Sequence, residues 1–373
     1  SIGPGATNMV TAAAVAHVDR LPVLLLPGDV FANRRPDPVL QQVEDFGDGT
    51  ISANDCFKPV SRYFDRITRP EQILTALPRA VSVLTDPAEC GPVTLALCQD
   101  VQTEAYDYPE AFFEPHLWGA RRPEPDRDEL AHAVSHLKKA RKPFIVSGGG
   151  VLFSEAERSL ADFAEKHGIP VAETQAGKSA MPIKHPCYMG SIGVTGSSAA
   201  NALAQEADVV LAIGTRLQDF TTGSRALFRA EGRKIINLNT QAFDAFKHGG
   251  LALIADAKAG LAALDKGLGD YAAPGAWQKQ AAAVRKTWAA EHAAATAAPN
   301  RGLPSDGQLA GFQLGGPAAA GLLASNSNVL LDNGWVDAIS PRSVIDYILV
   351  RACDGWTVKE VVIVDEPVAS DHN

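Results

Sequence analysis

Short apolar runs alternate with amphipathic stretches along residues 1–265, and this alternation is typical of parallel strands joined by helices. Most of the runs are bounded by glycine, proline or a polar residue, as strands usually are. The predicted strands are residues 23–26, 93–98, 143–147, 171–174, 209–213 and 234–238. Helical spacing is clearest at residues 70–84, 128–140 and 154–167. The pattern predicts an α/β protein with two Rossmann-like parallel-sheet domains.

The alternation breaks down in three regions. Residues 101–127 mix proline, glutamate, arginine and aromatic side chains without a period, which predicts a linker that packs along a surface. Residues 266–300 are rich in alanine and favour a connecting helix. Beyond residue 303 the chain carries two short strand candidates, 329–331 and 361–364, and a stretch without a convincing period. This last region is predicted to be a poorly defined C-terminal tail.

Composition excludes several classes of protein. With 373 residues, 46% hydrophobic and 21% charged, the chain is typical of a soluble globular protein of two to three domains. A net charge of −9 argues against a nucleic-acid or anionic-membrane surface. The five cysteines include no CxxC pair, so reduced thiols are expected. Without a signal peptide or a twenty-residue apolar run, we expect a cytoplasmic protein with no membrane partner.

The first thirty residues carry the candidate ligand site. A Gly-Pro-Gly turn at residues 3–5 leads into a helix that Thr7 and Asn8 could cap. That helix is alanine-rich on all sides, which predicts burial. The strand at residues 23–26 then delivers residues 28–29 to its carboxyl end, where open α/β sheets bind ligands. A tight turn followed by an ordinary helix cap remains the alternative interpretation.

Several stretches support a family resemblance. The segments 3–8 and 22–30 resemble the pyrimidine-binding domain of the acetolactate-synthase-like thiamine diphosphate enzymes. Residues 44–50, 54–65, 193–201 and 214–222 resemble one family in that superfamily, the trihydroxycyclohexane-1,2-dione hydrolases of myo-inositol breakdown. The likeness extends from Ile2 to about Asp306.

The resemblance implies a domain order. It gives a partial pyrimidine-binding domain in 1–118, a linker in 119–127, a central Rossmann-like domain in 128–265, a helical connector in 266–302 and an aberrant or truncated start of the diphosphate-binding domain in 303–373. The glutamate that activates the cofactor in this family is expected before Ser1. The chain is therefore expected to be a fragment, and its catalytic residues are unknown.

The resemblance also implies site residues and cofactors. The intact enzyme is expected to use thiamine diphosphate and Mg2+. The implied cofactor-binding residues are Gly3, Pro4, Gly5, Asn8, Gly28 and Asp29, the last at a position where many relatives carry Gln. Phe57, Lys58 and Arg62 either line the substrate entrance or form a solvated basic face. No metal ligands are predicted, because Gly47-Asp48-Gly49 follows a polar helix and is interpreted as a turn.

The implied reaction is cleavage of a C–C bond in a cyclic 1,2-diketone, which yields a 5-deoxy-glucuronate. The partner is a small-molecule substrate, and the intact enzyme is expected to be a homodimer or homotetramer. Two alternatives remain: an acetolactate-synthase-type carboligase, and a non-catalytic fragment that acts only as a packing module. The glycines at 148–150 could cradle a phosphate, but the absence of GxGxxG favours a packing role.

Overall fold

A computed structural model of the chain describes residues 1–33, 35, 40, 43, 45–297, 350–352 and 355–357. Backbone contacts divide the chain into two compact units, Ser1–His132 with Asn237–Leu264 and Ala133–Ile236 with Asp265–Asn373. This division assigns residues 237–264 to the first unit, whereas the sequence places them in the central domain. The domain boundaries drawn from the sequence stay a prediction.

The described residues form the following regular elements. The helices are α1 (Pro4–Thr7), α2 (Met9–Asp19), α3 (Ile73–Thr85), α4 (Arg127–Lys139), α5 (Gly149–Phe153), α6 (Glu157–His167), α7 (Ser198–Glu206), α8 (Asp219–Thr222), α9 (Ala242–Ala245), α10 (Ala257–Leu268) and α11 (Gly275–Thr296). The strands are β1 (Leu24–Leu25), β2 (Gly28–Asp29), β3 (Tyr63–Ile67), β4 (Val93–Cys98), β5 (Pro143–Ser147), β6 (Val171–Glu173), β7 (Tyr188–Ser191), β8 (Val209–Ile213), β9 (Lys234–Asn239), β10 (Leu251–Ile254), β11 (Val350–Ala352) and β12 (Gly355–Thr357). None of the described helices has the length and hydropathy needed to cross a membrane.

The first sheet is built around β4. β1 and β2 pair in parallel with one edge of β4, and β3 pairs in parallel with the other edge. The strand predicted at residues 23–26 is therefore shorter, Leu24–Leu25, and residues 28–29, expected just past its end, form a second short strand after a break at Leu26 and Pro27. Proline has no N–H to donate to a ladder, although the Pro27 carbonyl still accepts a bond from the Leu97 N–H at 2.9 Å. The break leaves Gly28 and Asp29 at the carboxyl end of the sheet.

Two apolar clusters form the core around this sheet. The larger is made by β3, α3 and β4; its buried members are Ile67, Ala76, Ala80, Val93, Leu95, Cys98 and Val101. The smaller joins the start of the chain to β1, and its buried members are Ala6, Ala13, Leu25 and Phe57. Both clusters fix the strand ends that carry the candidate site.

Helix α2 is only partly covered. Ala13 and Ala16 are buried, but Val15 is 55% exposed and Val18 is 48% exposed. The prediction that this helix is buried is therefore wrong for the face that carries these two valines. An alanine-rich helix is apolar on every face, so its sequence does not show which faces have a neighbour.

The second sheet has the strand order β10-β9-β8-β5-β6-β7. Counted along the chain within this sheet, this is the 3-2-1-4-5-6 order of a doubly wound Rossmann fold. The pairs β5–β6, β5–β8 and β6–β7 are parallel, and β5 and β8 are buried throughout. The predicted α/β fold class is confirmed.

The predicted C-terminal tail lies mostly outside the described residues. Its strand candidates at 329–331 and 361–364 are among the residues left undescribed. β11 and β12, which the structure does describe, pair as an antiparallel two-stranded sheet. The predicted connecting helix corresponds to α11, whose Trp277 is buried and donates from Nε1 to the Pro143 carbonyl at 2.8 Å.

Candidate functional site

A small cleft lies where β2 ends and the chain begins its first turn. Its lining residues are Ile2, Gly3, Gly28, Asp29, Val30, Val43, Ala53 and Asn54. The cleft contains about 180 Å3, open solvent included. It is the candidate ligand site of the first sheet.

The first turn is attached to β2 by backbone contacts. The Gly28 N–H donates to the Ser1 carbonyl at 2.7 Å, and Ile2 forms a parallel bridge with Gly28. Gly3 has φ +52°, a left-handed backbone that favours glycine. Pro4 then begins α1, as proline commonly does at the first helical position. This geometry places the backbone of residues 2–3 against the end of β2.

Not all of the predicted cofactor-binding residues meet at the cleft. Gly3, Gly28 and Asp29 line it, whereas Pro4, Gly5 and Asn8 are exposed and are not among its lining residues. Asn8 has a helical backbone between α1 and α2 and makes no side-chain capping bond, so the expected cap is not formed. The Thr7 hydroxyl also does not cap α2, because it donates to the Pro4 carbonyl at 2.7 Å.

Asp29 is buried and both of its carboxylate oxygens accept hydrogen bonds. The residue is 1% exposed. Oδ1 accepts from the Val30 N–H at 2.8 Å, and Oδ2 accepts from Arg66 Nε at 2.6 Å. A buried charge is stable only when it is paired and hydrogen-bonded, so Arg66 is the residue that makes a carboxylate possible at this position.

Arg66 connects Asp29 to the 3-10 helix Ala53–Val60. Its Nη2 donates to Ser52 Oγ at 2.9 Å and to Asp55 Oδ1 at 2.8 Å. Lys58 Nζ also lies 2.9 Å from Asp55 Oδ1. We call Asp29, Ser52, Asp55, Lys58 and Arg66 the Arg66 network. It fixes the 3-10 helix against the end of β2.

Two pKa values in the Arg66 network are shifted toward the charged forms. Burial by itself would raise the pKa of Asp55, but the bonds from Lys58, the Ser52 N–H and Arg66 outweigh burial and lower it. Burial would likewise lower the pKa of Arg66, yet the bonds and charges of Asp29 and Asp55 raise it. Both shifts favour the ionised forms of Asp55 and Arg66.

The 3-10 helix begins with a reciprocal cap that the sequence signals. Ser52 Oγ accepts from the Asn54 N–H at 3.2 Å, and Asp55 Oδ2 accepts from the Ser52 N–H at 2.8 Å. A serine followed three residues later by an acidic residue resembles the capping-box pattern. That spacing could have identified Ser52 and Asp55, but no sequence signal connects either of them to Arg66.

Asn54 attaches the same 3-10 helix to the β2 backbone. Its side chain is almost fully buried, and Nδ2 donates to the Gly28 carbonyl at 2.8 Å. Because a carbonyl can only accept, this bond fixes the orientation of the amide. The other end of the amide, Oδ1, is buried without a hydrogen-bond partner.

The three residues predicted at the substrate entrance have different surroundings. Phe57 is 0% exposed and packs in the core cluster with Ala6, Ala13 and Leu25, which favours a packing role. Lys58 is exposed and pairs with Asp55. Arg62 is half-buried beside Gly91, where an added Cβ would lie 2.5 Å from Arg62 Cγ. The structure does not bring the three side chains together.

The described residues contain no cluster of three or more His, Cys, Asp or Glu side chains that could hold a metal ion. At Gly47-Asp48-Gly49, the Asp48 Oδ1 accepts bonds from the Thr50 N–H and hydroxyl, at 2.8 and 2.6 Å. Asp45 Oδ1 accepts from the Gly47 and Asp48 N–H groups. These local bonds are typical of a polar turn.

The switch point of the second sheet, between β5 and β8, is closed by glycine backbone. The Gly148 N–H donates to the Ile213 carbonyl at 2.8 Å, and the Gly150 N–H donates to the Gly214 carbonyl at 3.0 Å. A Cβ on Gly148 would overlap the Gly214 carbonyl, and one on Gly150 would lie 2.6 Å from Gly214 Cα. This close approach favours packing over the phosphate cradle considered for these glycines.

Comparison with known proteins shows what the chain is similar to. The family model described as thiamine pyrophosphate enzyme, central domain, matches residues 130–264. The 3D-(3,5/4)-trihydroxycyclohexane-1,2-dione hydrolase of Geobacillus thermodenitrificans is 49% identical over 288 residues, which cover 77% of this chain and 44% of that protein. Two hydrolases of the same name in one strain of Bacillus cereus, numbered 2 and 1, are 50% identical over 291 residues and 52% identical over 264 residues.

The two Bacillus alignments cover 78% and 71% of this chain and 45% and 41% of those proteins. The chain thus spans less than half the length of the relatives it matches. The resemblance drawn from the sequence is confirmed. Residues 130–264 match the thiamine pyrophosphate enzyme central domain, and about three quarters of the chain is similar to proteins named trihydroxycyclohexane-1,2-dione hydrolase.

Proposed function

We propose that the chain is part of a thiamine diphosphate-dependent hydrolase that opens the ring of trihydroxycyclohexane-1,2-dione to a 5-deoxy-glucuronate in myo-inositol breakdown. The supporting observation is about 50% identity over 264–291 residues to proteins with that hydrolase name. In this reaction water adds across a C–C bond, so that one carbon gains a hydroxyl group and the other a hydrogen. The name of the relatives favours hydrolysis over carboligation.

The cleft fits part of the cofactor. Ile2 and Val30 offer apolar walls, Gly3 and Gly28 add no side chain to the cleft, and Asn54 Oδ1 is an acceptor without a partner among the described residues. We therefore propose that this cleft holds the pyrimidine half of thiamine diphosphate. When bound, the cofactor supplies the electron sink for C–C cleavage. Asp29 contributes by holding Arg66 and the Val30 N–H in place.

The described residues do not fit Mg2+, because they contain no acidic cluster at metal-binding spacing. We propose that the intact protein holds Mg2+ and the diphosphate outside the described part of this chain. The chain by itself is then expected to be inactive. The alternative of a non-catalytic packing module therefore describes the isolated chain and not the intact protein.

We further propose that the intact enzyme is a cytoplasmic homodimer or homotetramer. Helix α2 and its following strand expose apolar side chains, Val15, Val18, Leu24 and Leu26, each between 39% and 55%. Such a concentration of exposed apolar residues is typical of a surface that is covered in an assembly. The described cysteines, Cys56, Cys90, Cys98 and Cys187, are free thiols, which suits a reducing compartment.

A direct assay tests the proposed reaction. The full-length protein is expected to convert trihydroxycyclohexane-1,2-dione to the ring-opened acid only when thiamine diphosphate is present, and to lose this activity when a chelator removes Mg2+. The isolated chain is expected to produce none. Ring-opening that is independent of thiamine diphosphate, or acetolactate formation from pyruvate without ring-opening, would contradict the proposal.

A further inference from the structure

The side-chain carbonyl of Asn54 is an unpaired acceptor at the cleft. Asn54 is 1% exposed, and its Oδ1 has no hydrogen-bond partner in the described chain. Buried polar atoms nearly always have a partner, and leaving one unpaired is costly. The bond from Nδ2 to the Gly28 carbonyl prevents the amide from rotating to relieve this cost. The described residues therefore do not supply the missing partner.

The Asp29 carboxylate and the Gly28 carbonyl, which also line the cleft, already have hydrogen-bond partners. Of the side chains that line it, those of Asp29 and Asn54 are polar, and the rest are apolar or glycine. Both Asp29 oxygens accept bonds, and Arg66 balances the Asp29 charge. The Gly28 carbonyl accepts from Asn54. A ligand in this cleft therefore finds a neutral acceptor in Asn54 Oδ1.

We propose that Asn54 Oδ1 accepts a hydrogen bond from a neutral N–H or O–H group on a bound ring. The inference rests on the proposed function, which provides two sources of such a group: the amino group of the cofactor's pyrimidine and the hydroxyl groups of the substrate. Asn54 is thus a ligand-positioning residue, and the bond it makes to Gly28 aims its acceptor at the ligand.

The chain offers a matched control for Asn54. Asn201 Nδ2 donates to the Gly193 carbonyl at 2.9 Å, as Asn54 does to Gly28, but Asn201 Oδ1 accepts from the Gly193 N–H at 3.1 Å. Asn54→Ala and Asn201→Ala each remove an amide that binds a glycine carbonyl. Only Asn54→Ala removes an unpaired acceptor. A loss of ligand affinity in Asn54→Ala but not in Asn201→Ala is therefore attributed to the hydrogen bond between this acceptor and the ligand.

The cofactor arm is a calorimetric titration of the full-length protein with thiamine diphosphate and with its analogue that lacks the pyrimidine amino group. If the amino group is the donor, Asn54→Ala weakens thiamine diphosphate binding about 3- to 10-fold, the range of an ordinary hydrogen bond. The analogue then binds Asn54→Ala and wild type with equal affinity, because it lacks the amino group that would donate to Asn54. Asn201→Ala binds both compounds as wild type does.

The substrate arm measures steady-state kinetics at saturating cofactor. If a substrate hydroxyl is the donor, Asn54→Ala raises KM about 3- to 10-fold while its cofactor affinity stays that of wild type. Should Asn54→Ala fail to fold, Asn54→Ser is used, since its hydroxyl is too short to present the same acceptor.

An effect in either arm supports the inference and identifies the source of the donor. An Asn54 variant that matches both wild type and Asn201→Ala in cofactor affinity and in KM would overturn it. Failure of the proposed function is seen separately, because the wild-type protein itself would then neither bind the cofactor nor open the ring, and the inference would fall with it.

Discussion

Phe57 and Lys58 are adjacent in one short helix, but one side chain is buried and the other is exposed. Both lie in the 3-10 helix Ala53–Val60, where the Phe57 side chain is completely buried against Ala6, Ala13 and Leu25. Lys58 is 55% exposed in its side chain and pairs with Asp55 at the surface. The family resemblance suggested an entrance role for both, but the surroundings support one only for Lys58.

Replacement of each residue distinguishes packing from ligand contact. Phe57→Ala is expected to lower the free energy of unfolding by about 3–5 kcal/mol, because it leaves a cavity in the core. Lys58→Ala is expected to change it by less than about 1 kcal/mol, since exposed ion pairs contribute little. Urea unfolding of both variants measures the difference. Phe57→Ala with wild-type stability and a raised KM would instead restore the entrance role.

At the scale of elements, the carboxyl ends of the strands decide what the molecule can bind. The end of β2 carries a small cleft. The ends of β5 and β8 are closed, because Gly148 and Gly150 lie directly against Gly214. At both places glycine permits close packing, since Gly28 likewise lies against Ser1 and Ile2.

A pair of glycine variants tests the closed junction. Gly148→Ala would force a methyl group into the Gly214 backbone, which cannot rotate away, and should cost about 1–3 kcal/mol of stability. Gly275→Ala is the control, because it lies at the exposed start of α11 with nothing within 4 Å of the added carbon. Gly275→Ala should be neutral or stabilising by up to about 1 kcal/mol. If chemical denaturation gave Gly148→Ala and Gly275→Ala the same free energy of unfolding, the packing role of Gly148 would be contradicted.

Element positions were largely predictable where the strands are buried runs. β4, β5 and β8 have the bounds read from the sequence, because each is a continuous apolar segment between breakers. β3 was missed, since Asp65 and Arg66 interrupt its apolar residues and only Ile67 is buried. β7 was missed as well, because its Gly190 and polar neighbours suggested a loop.

At the scale of the whole molecule, the candidate site depends on register, which no local pattern specifies. β2 pairs Asp29 with Cys98, while β3 pairs Arg66 with Ala96 on the opposite edge of β4. This arrangement brings together residues 37 positions apart. Gly3, Gly28 and Asp29 were predicted from the turn and the strand end, but Asn54 and Arg66 required the folded sheet.

The similarity to thiamine pyrophosphate enzymes comes from the sequence stretches and from the comparisons, and the fold of the second sheet agrees with it. The 3-2-1-4-5-6 strand order lies within the region that the family model matches. The first sheet carries the cleft at the end of β2, and the described residues contain no metal cluster. We therefore propose that this chain contributes part of a cofactor site, and that the rest of the site lies outside its described residues.

Calorimetric titration with thiamine diphosphate, with and without Mg2+, tests this central claim most directly. The account predicts that the full-length protein binds thiamine diphosphate only when Mg2+ is present, and that the isolated chain, still unfolding cooperatively on heating, shows no Mg2+-dependent binding. A full-length protein that binds no thiamine diphosphate under either condition would contradict the account. Mg2+-dependent binding by the isolated chain would show that this chain holds the complete site.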